Sequence, residues 1–263
     1  MKDDRFGPIS ITSGTFSATP SSGLSLLFPA GQRPAGDDIL RLVKNRPEIA
    51  SQFGISHFPK TGEGWLELLA NGLTFDLNGL APDPPGEAAR CVHRYGFPAD
   101  PGLDLAEAIT LRPGAHLAGG GNLMPVVRSM AAIAAALAHL PGVTGVVWHP
   151  ARCVMEPAYF ARIVAGWLGG GPFPALGLTA LVLEQDGGIR SDGLAFFTGQ
   201  ELRIDPIVAR NPATAGKIAI RLIHSLISGW SVQTSAEIAG PDGQRLGVEP
   251  VDNGRVLRIW KAH

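Results

Sequence analysis

The chain has 263 residues, 45% of them hydrophobic, and its 22 basic side chains meet 23 acidic ones for a formal charge of −1. Such a length buries a substantial core, and such a balance excludes a wholly disordered chain and any general attraction to nucleic acid or anionic membrane. The 34 glycines and 22 prolines stand singly or in short groups between periodic segments, where they punctuate structure.

No apolar core follows the polar start Met1-Lys2-Asp3-Asp4-Arg5, so no secretory signal is expected. The most apolar helical stretch is interrupted by Arg128, Ser129 and His139, which argues against a membrane span. Two cysteines, Cys91 and Cys153, are too few for a disulfide framework. The expectation is a cytoplasmic protein with reduced thiols.

Taken in chain order, residues 1–22 are rich in Ser, Thr, Gly and Pro and predict an N-terminal arm. Leu24 to Phe28 predicts a strand. Ile39, Leu40, Leu42 and Val43 predict a helix that Pro47 ends, and residues 47–63 read as irregular. Asn71-Gly72 between two apolar runs predicts a hairpin, because both central residues of a type I′ turn need positive φ. Pro82 to Gly86 reads as a long loop, with a sub-boundary near 82–103 as the alternative.

Ala106 to Leu111 predicts a strand. Asn122 can cap the next helix, with Pro125 in its first turn and Val126, Met130, Ile133, Leu137 and Leu140 on one buried face. The alanines between them suggest packing on several sides. Val143 to Trp148 follows as a strand, giving a βαβ-like unit. Pro157 begins a second helix, which Gly169 closes in a left-handed cap. Leu178–Leu183 and Leu194–Phe197 are read as a hairpin around Asp186-Gly187-Gly188. Asn211-Pro212 starts a third helix, with His224 on its wet side, and two or three strands end the chain. Helices interleaved with hairpins predict an α+β fold: a mixed, largely antiparallel sheet with three to four packed helices, in one domain over 23–263.

The candidate chemistry centres on the turn after Trp148. His149 and Cys153 flank a strand end, where α/β proteins place function. A thiol beside an imidazole is a candidate nucleophile, Glu156 could orient the histidine, and Arg152 could hold a carboxylate or phosphate. The bland alternatives are a buried hydrophobe for Cys153 and a turn residue for His149. Glu201 and Arg203 lie on a run that could present charges to a ligand, or could give a strand with one wet face. Gly119-Gly120-Gly121 fails the stricter phosphate-loop and dinucleotide patterns and reads as a tight turn. No His, Cys, Asp or Glu spacing suits a metal, and no cofactor motif is present. Trp65, Trp148 and Trp167 lie in apolar patterns and read as core.

The segments Gly193 to Ile204, Gly145 to Pro150, Pro157 to Phe160 and the helix around Ile218 to Ile227 resemble a bacterial family defined as domain of unknown function four-two-six-one. The resemblance covers the second half of the chain and implies a bacterial cytosolic protein beside toxin or secretion systems, as an accessory or immunity protein. The family carries no established activity, so no residue role transfers. The leading expectation is a non-catalytic domain that binds another protein or a small ligand. The alternative is a thiol-dependent hydrolase or transferase using Cys153, His149 and Glu156.

Overall fold

The computed structural model describes residues 22–59, 63–86, 90–241 and 243–262. The expected N-terminal arm, apart from Ser22, lies outside them, as does Asp242. The fold is α+β, with mostly antiparallel strands in two mixed sheets where the sequence suggested one. The chain divides into two compact units, at Gly171/Pro172, and the stretch 82–103 sits within the first.

The first unit runs β1 (Leu24–Phe28), α1 (Gly36–Asn45), α2 (Pro47–Ala50), β2 (Gly54–His57), β3 (Trp65–Ala70), β4 (Leu73–Asn78), β5 (His93–Tyr95), β6 (Glu107–Pro113), α3 (Met124–Leu137), β7 (Gly145–Trp148), β8 (Cys153–Met155) and α4 (Pro157–Leu168). Its eight strands lie in the order β2-β3-β4-β6-β1-β7-β8-β5. β6 and β7 are both antiparallel to β1 and hence parallel to each other, with α3 as their connection. The expected βαβ-like unit is therefore present, with β1 inserted between its two strands.

The Asn71-Gly72 turn joins β3 and β4, both residues at positive φ (52° and 77°) as a type I′ turn requires. Residues 47–63 are more regular than their composition suggested, since they hold α2 and β2. Helix α3 starts at Met124 behind Leu123, with no side-chain cap from Asn122. The left-handed residue after α4 is Gly170, at φ 94°, one position beyond the expected Gly169.

Strand alternation sorts the first sheet into two faces. Leu24, Leu26 and Phe28 align with Ile109, Leu111, Val146 and Trp148, all fully buried. Ser25 and Leu27 share the opposite face with Thr110, Ala108 and Val147. There Leu27, Ala108, Val147 and Val154 form a cluster closed by Cys91, Phe97, Leu103 and Ala106. α3 packs over β4, β6 and β1, and α4 packs against β7.

The second unit runs α5 (Ala175–Leu178), β9 (Ala180–Leu183), β10 (Ile189–Asp192), α6 (Ala195–Thr198), β11 (Glu201–Ile204), α7 (Pro212–Ile227), β12 (Ala236–Ala239), β13 (Arg245–Val251) and β14 (Val256–Lys261). Its sheet has the order β12-β13-β14-β11-β10-β9, and only β11–β14 is parallel. Asn211 caps α7 by accepting from Thr214 N at 3.1 Å, as its Asn-Pro signature predicted. The hairpin around Asp186-Gly187-Gly188 pairs β9 with β10, whereas Leu194–Phe197 enters helix α6 in place of the expected strand. His224 is not a plain wet-face residue: its Nε2 lies 2.9 Å from the Phe173 carbonyl.

Candidate functional site

The residues singled out by sequence divide between the two units, with His149, Arg152, Cys153 and Glu156 in the first and Glu201 and Arg203 in the second. His149 is buried in the turn that follows β7. Its backbone N–H donates to Gly23 O at 3.2 Å, and its Nε2 stands 2.8 Å from Ser25 Oγ, which is in turn 3.1 Å from Thr110 Oγ1. Ser25 and Thr110 are register partners on β1 and β6, so the three groups make a buried polar chain across the sheet centre. Burial, helped by the nearby Arg112 guanidinium, pushes the imidazole down to about 4. The ring is therefore neutral at pH 7.

Cys153 takes no part in that chain. It lies on β8, fully buried, with its Sγ 3.4 Å from the Ala151 carbonyl as a weak donor. β8 was hidden within the expected turn, and its pairing with β7 and β5 gives the thiol a strand position at the base of α4. Glu156 is the N-cap of α4: its carboxylate accepts from Ala158 N at 3.0 Å and Tyr159 N at 2.5 Å. Arg152 is exposed at φ 51°, and its carbonyl accepts from the N–H groups of Val92 and His93. The imidazole is bonded to a serine and the carboxylate to a helix end, so neither contacts the thiol through the hydrogen bonds each makes.

Glu201 and Arg203 are built into the second unit. Glu201 is buried, and its carboxyl accepts from the Ser191 hydroxyl and from the N–H groups of Gly193, Leu194 and Ala195 at 3.0, 3.3 and 3.0 Å. Burial raises its pKa above the usual carboxylate range, against the pull of Ser191 and Ala195. Arg203 pairs with Glu184 at 2.8 Å, Asp205 at 3.3 Å and Asp186. Glu201 thus holds the β10–α6 connection, and Arg203 ties a charged sheet face.

A different place has capacity left. A groove of about 590 Å³ opens in the first unit between α2, the tip of the β3–β4 hairpin, α3 and α4. Arg128, Ala132 and Ala135 line it at steps of four and three along α3, so they share one face of that helix, and His139 joins them just past its C-terminus. Ala161, Val164 and Ala165 of α4 form the facing wall, and Arg46 and Glu48 stand at the α2 side. Of the α3 alanines read from sequence as all-round packing, Ala131, Ala134 and Ala136 are buried, whereas Ala132 and Ala135 are half-exposed walls of the groove. Asn71 Nδ2 donates to Ser129 Oγ at 3.0 Å and fixes the hairpin tip against α3.

Arg128 is the unusual lining group. Its guanidinium lies 4.8 Å from the centroid of the Trp167 ring, and one N–H reaches Leu168 O at 3.4 Å. Four described arginines are half-buried: Arg33, Arg128, Arg190 and Arg203. Arg33 has Glu107, Arg190 has Glu184 and Arg203 has three carboxylates. Arg128 has none among the described residues. The sequence signal existed, because Arg128 interrupts an otherwise apolar helix; the hydroxyls of Ser25 and Thr110, each alone in an apolar run, were the corresponding signal for the buried chain.

Among the described residues no group of His, Cys, Asp and Glu could hold a metal ion, and no helix is long and apolar enough to cross a membrane. Comparison with protein-family models, curated proteins and solved structures returned no match.

Proposed function

We propose that the chain is a non-catalytic binding protein whose ligand or partner segment occupies the groove between α2, α3 and α4. The observation that carries this reading is the half-buried Arg128 guanidinium, without a carboxylate among the described residues, whose other half-buried arginines all have one. Withdrawing a guanidinium from water is costly unless a charge or hydrogen bonds compensate, and an aromatic face with one long bond compensates only in part. A cytoplasmic accessory or immunity role fits such a binder, and two cysteines outside any disulfide fit a reducing compartment.

The test sets this reading against the thiol-dependent enzyme. Cys91 and Cys153 are labelled with iodoacetamide in the native chain across pH 5–9 and read by mass spectrometry. Burial raises the Cys91 thiol to about 11, and Cys153 has no exposed surface. Both should label slowly until the chain is denatured. Fast labelling of Cys153 below pH 7, with turnover abolished by Cys153→Ala, would overturn the binding reading.

A further inference from the structure

We propose that the groove takes a monoanionic amphiphile, a carboxylate carried on an apolar body, with the carboxylate on Arg128; this rests on the groove being the binding site. Three observations lead to that class. The walls set by Ala132, Ala135, Ala161, Val164 and Ala165 are small and aliphatic, so they accept an apolar body at close approach and offer it no hydrogen bonds. The volume of about 590 Å³ is that of a small-molecule site. The charges on the lining are two arginines, Arg46 and Arg128, against one glutamate, Glu48. That leaves one positive charge, which suits a single negative charge and disfavours a dianionic phosphate beside Glu48.

Arg128 is prepared for this role. The guanidinium carbon lies 4.8 Å from the Trp167 ring centroid, and one N–H is used on Leu168 O, so two contacts hold the group in place. A guanidinium has five N–H donors in one plane, and those not bonded to Leu168 O offer the fork geometry that a carboxylate matches with two parallel bonds. Because the side chain is already ordered, binding loses little rotamer freedom there.

The experiment titrates the full chain, labelled with 15N, with octanoate, 1-octanol and octyltrimethylammonium, and follows amides of α3 and α4. Octanoate should bind tightest and octyltrimethylammonium weakest. Arg128→Met, which keeps an apolar chain on Trp167, should weaken octanoate roughly 10–100-fold, as expected for a charge-assisted hydrogen bond, and leave octanol within about threefold. Ala135→Trp should block both, with melting and circular dichroism confirming that each variant folds. Octanol binding as tightly as octanoate, blocked by Ala135→Trp, would overturn the carboxylate assignment while leaving the groove a binding site. Failure of all three probes to perturb α3 or α4 would overturn the proposal, and unlabelled native Cys153 would still separate that failure from an enzymatic role.

Discussion

Glu201 and Arg128 are both charged side chains drawn back from water, and the fold treats them in opposite ways. Glu201 receives a hydroxyl and three backbone N–H groups, a nearly complete replacement for its hydration. Arg128 receives an indole face and one long bond. Complete internal satisfaction marks a group used to hold backbone in place. Incomplete satisfaction beside an open groove marks a group with donors to spare.

Four measurements bear on that contrast. Glu201→Ala would leave a buried hydroxyl and three N–H groups without their acceptor, and it should cost about 3–5 kcal/mol in urea unfolding. A cost below about 1 kcal/mol would mean that water replaces the carboxylate and that Glu201 is no structural anchor.

The next effect is one of pH. The His149 pKa falls from 6.5 to about 4 in the fold, so between these values the unfolded chain binds more protons. Stability is fully present above about pH 6.5 and is lost as pH falls toward 4, by about 3 kcal/mol from this group. His149→Gln should flatten that part of the stability profile. An unchanged profile would show that the imidazole is not shielded as its place beside Ser25 implies.

Ser25→Ala removes the middle member of the His149–Ser25–Thr110 chain and should cost about 1–2 kcal/mol, measured with the same unfolding curves. The smallest effect sharpens the contrast most. Arg128→Met should change stability by less than about 1 kcal/mol, the size of an aromatic–cation contact with partial exposure. A loss as large as that of Glu201→Ala would make Arg128 a structural brace of the α4 C-terminus.

Much of the secondary structure was legible because its signals are local. Asn71-Gly72 specifies a turn by backbone conformation alone, and Pro157 and Asn211-Pro212 mark helix starts by capping chemistry. What escaped depends on tertiary partners. β8 is only three residues long and reads as part of a turn until β7 and β5 pair with it. Leu194–Phe197 has strand-like composition, yet the N–H groups at its start bond to the Glu201 carboxyl, a pairing that no local pattern reveals.

The division into two sheets was equally hidden, since strands of either sheet alternate alike and Gly169-Gly170-Gly171 reads as a helix cap. The candidate set of His149, Cys153 and Glu156 was close in sequence. Their bonding partners, however, are Ser25, Ala151 and the α4 N-terminus. For a similar reason the groove was not visible: Arg46, Arg128 and Ala161 meet only after α2, α3 and α4 pack.

The position of β1 carries a consequence for how the protein is made. This first strand is flanked by β6 and β7, and Ser25 bonds to groups 85 and 124 residues further on. At a ribosomal pace of about 5–20 residues per second, the strand waits roughly 6–25 s for its second neighbour to be synthesised. During that interval Leu24-Ser25-Leu26-Leu27-Phe28 has an open edge and an apolar surface, the features that recruit chaperones or nucleate aggregation. A nascent chain halted before Gly145 would keep that edge open, so arrest at this point should give the most chaperone-dependent species in its biogenesis.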